Sequence, residues 1–175
     1  SMHFDNMEYF PLIFGEIEID PFVDQAVGSL VCALSEELED SAVHANAALE
    51  MGQPSARWAW SSVYLGRALY LPERPDEALE CLSGLEDNVS LTIWDREMLS
   101  ECQTSILSDR EISSDGTPTP EFGRLWAEHF RRFPWISAAS GSLVRYSFDT
   151  NDFQYIDEVI AVQDDPFVCN VLRAA

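Results

Sequence analysis

The chain has 175 residues, 46% of them apolar and 11% aromatic, with 31 acidic against 10 basic residues and a formal charge of -21. That is about one domain's length with apolar material enough for a core, which excludes a disordered acidic tail. A field of this sign repels nucleic acid and anionic membrane, and it speeds encounter with basic proteins.

In chain order, the segment from Glu8 to Asp20 alternates Ile17 and Ile19 with Glu16, Glu18 and Asp20, as a short half-buried strand does. Asp20-Pro21 then opens a first helix, with Asp20 as N-cap and Pro at the first helical position. Val23, Val27, Leu30, Val31, Leu34 and Leu38 follow at helical spacing as its apolar face, and Glu36, Glu37, Glu39 and Asp40 mark its far end. A second helix from Ser41 carries Val43, Ala47, Ala48 and Met51 and stops at Gly52-Gln53-Pro54.

The third helix, Ser55 to Leu71, presents Trp60, Val63, Tyr64, Ala68 and Leu71. Asp76 caps a fourth, with Ala78, Leu79, Leu82 and Leu85 facing inward. A fifth runs from Ser90 to Leu107 with Ile93, Trp94, Met98, Leu99, Cys102 and Ile106 as its stripe. The run Ser113 to Pro120 is a loop by composition, and a sixth helix follows with Phe122, Leu125, Trp126, His129, Phe130 and Phe133. Val144, Tyr146 and Phe148 alternate as in a strand, whereas Phe153, Ile156, Val159 and Ile160 read as a helix capped near Asn151. The expected fold is therefore mainly α, built of antiparallel helical hairpins, with a short strand pair near the termini. One domain spans 1–175, divided into a hairpin region 21–112, the loop 113–120 and a C-terminal helical or α+β region 121–175.

All ten basic residues are Arg, and none precedes Arg57. Ahead of it stand Asp5, Glu8, Glu16, Glu18, Asp20, Asp24, Glu36, Glu37, Glu39, Asp40 and Glu50. The missing Lys fits a GC-rich genome, and it equally fits avoidance of lysine modification inside a host cell. Cys32, Cys81, Cys102 and Cys169 are widely spaced among apolar neighbours, as buried free thiols are. The opening residues carry no basic n-region and no signal-peptide core, and no apolar run approaches a membrane span. The expected location is the cytoplasm, away from membranes.

No zinc-binding H-E-x-x-H, nucleophile elbow, phosphate-cradling glycine loop or dinucleotide fingerprint is present. His3, His44 and His129 are far apart, and His129 on its aromatic helix reads as a packing residue. Cys102 continues an apolar stripe, which speaks against a thiol dyad with His129. Asp149, Asn151 and Asp152 imitate the start of a calcium loop, but its Gly and closing Glu are absent. No catalytic residue, metal or cofactor is expected.

The third and fourth helices resemble a tetratricopeptide repeat over residues about 59–92. Leu65-Gly66 is followed by Ala78 and Leu82 at the family's offsets, with the turn Glu73-Arg74-Pro75-Asp76 between. The family Trp falls at Ser62, its Tyr at Leu69 and its closing Pro at Ser90, which are departures. The resemblance implies stacked hairpins that bind another protein. Composition and resemblance together lead to a non-catalytic binding protein that neutralises or escorts a basic partner, a toxin or a secreted effector, as bacterial immunity proteins and secretion chaperones do. The expected contact residues are the carboxylates Glu36, Glu37, Glu39 and Asp40, with Trp58 or Trp60 as the desolvated anchor. Two other classes stay open: a nucleic-acid mimic whose carboxylates stand in for phosphates, and a metal-dependent enzyme with an acidic site of unrecognised pattern.

Overall fold

The computed structural model describes residues 20–134 and 137–162. The strand expected at Ile17 and Ile19, together with Trp135 and Cys169, lies outside them. Among the described residues there are eight α-helices: α1 Pro21–Leu34, α2 Leu38–Met51, α3 Trp60–Tyr70, α4 Pro75–Leu82, α5 Ile93–Asp109, α6 Pro120–Arg132, α7 Ser137–Thr150 and α8 Gln154–Val162. A 3-10 turn, Ala56–Trp58, precedes α3. The helices pair in sequence, and successive pairs stack because α1 packs on α3 and α3 on α5. This is a mainly α architecture compatible with a helical repeat.

Helix boundaries follow local chemistry. Asp20 accepts the Phe22 N–H (3.0 Å) ahead of Pro21. Thr92 and Asp95 form a reciprocal capping box at the start of α5. Pro75 takes the first turn of α4, so Asp76 stands inside that helix instead of capping it.

The α1–α2 seam departs from the apolar face expected for α1, of which Val23 is buried and Val31 and Leu34 are not. Its buried residues are Phe22, Val23, Ala26, Ser29 and Ala33, facing Ser41, Ala45 and Ala48, whereas Val31, Leu34 and Leu38 are exposed. Small side chains let the backbones approach closely. There the Ser29 hydroxyl donates to the Ser41 carbonyl (3.0 Å) and the Ser41 hydroxyl to the Ser29 carbonyl (2.9 Å). Such reciprocal buried hydrogen bonds hold a seam that larger residues would open. The two helices meet around a turn at Ser35–Glu37, so the first helix ends before Leu38.

The α3–α4 hairpin closes on Gly66. A methyl group there would come within 2.6 Å of Leu82, whose side chain is fully buried. Gly66→Ala is accordingly expected to lower stability by up to about 2 kcal/mol in urea unfolding, because the overpacking of some 1–3 kcal/mol outweighs the roughly 1 kcal/mol gain in helix propensity.

Helix α5 serves two cores, which its predicted single stripe conceals. Leu99, Cys102 and Ile106 join the core of the first five helices, while Ile93 and Trp94 are exposed. Ser100, Thr104 and Ser108, four residues apart, are also buried. Ser100 and Ser108 meet α6: Ser108 Oγ takes the Trp126 indole N–H at 3.0 Å, and Ser100 Oγ lies 2.9 Å from His129 Nδ1. A second core gathers Phe122, Trp126, Phe130, Leu143, Tyr146 and Ile156 from α6, α7 and α8.

The strand expected at Val144, Tyr146 and Phe148 is part of helix α7. Leu143 and Tyr146 are buried at a helical spacing of three, and Phe148 is exposed. Packing against α6 overrides the local β preference of these side chains. Asn151, at φ +56°, ends α7, and Asp152 accepts the Gln154 N–H (3.0 Å) at the start of α8. The residues resembling a calcium loop are thus helix-end chemistry, with Asp149 paired to Arg145 at 3.5 Å.

Candidate functional site

The expected acidic cluster lies at the α1–α2 turn. Glu36 sits there at φ +63°, a left-handed position that costs a non-glycine residue roughly 1–2 kcal/mol. Glu37 is the N-cap of α2, and Glu39 and Asp40 stand in its first turn. The cluster was expected at the C-terminal end of a helix, where carboxylates oppose the macrodipole. Three of the four, Glu37 at the N-cap and Glu39 and Asp40 in the first turn, instead occupy a helix N-terminus, where negative charge is favoured. The shift follows from α1 ending at Leu34.

No described Arg makes an ion pair with Glu36, Glu37, Glu39 or Asp40. The ion pairs among the described residues begin at Arg67: Arg67–Glu101, Arg74–Glu77, Arg110–Asp76, Arg124 with Glu121 and Glu128, and Arg145–Asp149. Among the described residues, the one arginine hydrogen bond into the hairpin is from Arg74 to the neutral amide of Asn46 (2.9 Å). Beside the carboxylates stand the exposed side chains of Val31, Leu34 and Leu38, at 56%, 61% and 48% exposure. The turn therefore joins negative charge without a described arginine counter-ion to an apolar edge. Its potential reaches Cys32, whose thiol is pushed up by partial burial and by the charges of Glu37 and Asp40.

The two tryptophans expected to serve the same surface are elsewhere. Helix α2 is 14 residues long, about 21 Å, and Trp58 and Trp60 follow its far end. Ser62, two residues after Trp60, lines a cavity with Phe22 and Gly52 at that opposite end of the hairpin. Trp58 belongs to the 3-10 turn and Trp60 opens α3. Both are half-buried, edge to face at 6.1 Å, with Arg57 over Trp58 and Tyr64 against Trp60. Trp126 is buried in the second core.

A surface that sequence periodicity missed lies at the Trp58 end. The Ser90 hydroxyl donates to the Ala56 carbonyl (2.7 Å), bringing the loop before α5 to the 3-10 turn. That loop presents Val89 at 94% exposure, followed by the exposed Ile93 and Trp94. Arg96 holds it: Nη1 donates to the Glu86 carbonyl (2.7 Å), Nη2 to the Asn88 carbonyl (2.6 Å) and Nε to the Leu91 carbonyl (3.4 Å). Arg96→Ala is expected to raise amide exchange across residues 86–91 at least tenfold, because charge-assisted bonds of this kind contribute about 1.5–3 kcal/mol each.

The nearest approach to catalytic chemistry is Ser100–His129. Both are buried, and burial together with the Arg132 charge lowers the imidazole to about 4. It is a neutral base at any ordinary pH, sealed from substrate, and its Nε2 has no partner. Cys102 points into the other core, its thiol pushed up to about 12 by burial, so it forms no dyad with His129. Among the described residues no three His, Cys, Asp or Glu side chains gather to hold a metal ion, and no helix is long and apolar enough to cross a membrane.

The class defined by these features is an all-α protein of stacked helical hairpins with an acidic, apolar-edged turn at one end. Comparison with family models, with curated proteins and with solved structures finds no match for the chain.

Proposed function

We propose that the chain is a non-catalytic, cytoplasmic binding protein that neutralises or escorts a basic partner protein, in the manner of toxin-immunity proteins or secretion chaperones. The observation that carries this reading is the α1–α2 turn, where Glu36, Glu37, Glu39 and Asp40 lack a described arginine counter-ion and adjoin exposed Val31, Leu34 and Leu38. Charge of this density steers a cationic protein to the site, and apolar side chains at the same place supply the area that desolvates on docking. A basic amphipathic segment fits both features. The anchor in this reading is the leucine pair and not Trp58 or Trp60, which lie at the other end of the hairpin. The Gly66–Leu82 crossing supports a tetratricopeptide-like character for α3–α4, a scaffold suited to protein binding.

The reading is tested by recovering the tagged full chain from its native cell at low ionic strength. The expected companion is a basic protein that dissociates as salt is raised through a few tenths molar, where screening shortens to several ångströms. Recovery of no basic protein, or a complex indifferent to salt, overturns the proposal.

A further inference from the structure

A cavity of about 230 Å³ lies where the start of α1, the end of α2, α3 and α4 meet. Phe22, Leu49 and Leu65 give it apolar walls, and Ser62, Cys81 and Glu80 supply polar atoms. Ser62 is only 2% exposed, yet its hydroxyl has no hydrogen-bond partner. An orphaned buried hydroxyl loses its water hydrogen bonds without replacement, so a polar occupant is favoured there. Glu77 also lines the cavity, but Arg74 holds it with two bonds of 2.7 Å and keeps its carboxyl below the usual range. Glu80 makes no ion pair with a described Arg and leaves the described lining net negative. The Cys81 thiol senses this: burial first, then Glu80 and Glu77, push it up to about 11.

We propose that this cavity binds a short alkyl chain ending in a cation, either a free alkylamine or the side chain of a lysine. The apolar walls take the methylenes, Glu80 faces the charge, and Ser62 Oγ accepts a hydrogen bond from the cationic head. A volume of this size is below that of drug-like pockets, which start near 300 Å³, and suits a chain of four or five heavy atoms. The cavity is at the opposite end of the hairpin from the Glu36–Asp40 turn, so the inference stands or falls apart from the partner proposed above.

The test is a titration of the full chain with n-butylammonium, followed by amide chemical shifts of Gly52, Ser62 and Cys81. Saturable shifts are expected with butylammonium and not with n-butanol, which matches its shape without charge. Glu80→Gln is expected to weaken binding at least fivefold, as removal of a close charge partner does. Ser62→Ala is expected to weaken it too while leaving folding intact, since it also removes an orphaned hydroxyl. Capped lysine, N-acetyl-lysine methylamide, separates the sources: binding equal to butylammonium assigns the cavity to a protein side chain, and exclusion assigns it to a free amine. Equal response to butanol and butylammonium overturns the proposal, as does absence of saturable shifts or indifference to Glu80→Gln. In those cases the cavity takes apolar groups or water alone.

Discussion

Neutralising the α1–α2 turn, as Glu36→Gln, Glu37→Gln, Glu39→Gln and Asp40→Asn together, is expected to slow association with the basic partner about tenfold or more at low salt. Electrostatic steering raises association rates by roughly 10 to 1,000-fold, and these four charges stand without described counter-ions. The salt dependence of the on-rate should become shallower in the same variant, which stopped-flow mixing reads directly. Folding is expected to weaken slightly, because Glu39 and Asp40 stand in the first turn of α2 where they favour the helix. A C-terminal placement would have given the opposite sign. Leu34→Ser with Leu38→Ser is expected to leave the on-rate nearly unchanged and to raise the off-rate. Loss of two desolvated anchors is typically worth about 2 kcal/mol or more, some thirtyfold in affinity. Both leucines are exposed, so stability should hold. If all six substitutions leave rates and affinity alone, the turn is solvated surface and the binding face is elsewhere, with the Val89–Trp94 loop next to be tested.

Acidification is expected to destabilise the fold through His129 before most carboxylates titrate. The imidazole's folded value is about 4 against an ordinary 6.5. Above 6.5 both folded and unfolded chains hold it neutral, and it contributes nothing to pH dependence. Between 6.5 and 4 the unfolded chain takes up a proton that the folded chain excludes, so stability falls by about 3 kcal/mol over that window. Glu77 and Glu86, held low by the Arg74 and Gln103 hydrogen bonds, add losses in the same direction at lower pH. The His129 share is isolated by difference. His129→Phe combined with Ser100→Ala removes both buried polar partners and should flatten urea midpoints between pH 6.5 and 4.5. A slope equal to that of the parent protein would show that His129 is charged in the fold.

Much of the fold was legible because turn chemistry is local. Asp20-Pro21 and the Ser113–Pro120 loop need only neighbouring residues to act, and the structure places helix starts at Pro21 and Pro120. Leu65-Gly66 with Ala78 and Leu82 was legible for a related reason: a close helix crossing demands a small residue opposite a large one. The clustering of Glu36, Glu37, Glu39 and Asp40 was also a property of the sequence, since they are adjacent in the chain.

What the chain could not disclose by itself was which face each helix buries. In α1 periodicity selects the largest apolar residues, but the seam with α2 selects the smallest, because Ser29 and Ser41 exchange hydrogen bonds only at close approach. Helix α5 contacts two cores, so no single stripe describes it, and Val144 to Phe148 is helical because α6 covers Leu143 and Tyr146. The separation of Trp58 and Trp60 from the acidic turn follows from the length of one helix, and the orphaned Ser62 hydroxyl from the meeting of four. By itself the sequence determined that the chain folds, is helical and carries an unbalanced negative charge, since composition and local spacing suffice for those. Only the tertiary structure decided which side chains share a surface, because adjacency across helices depends on packing distances that no spacing along the chain records.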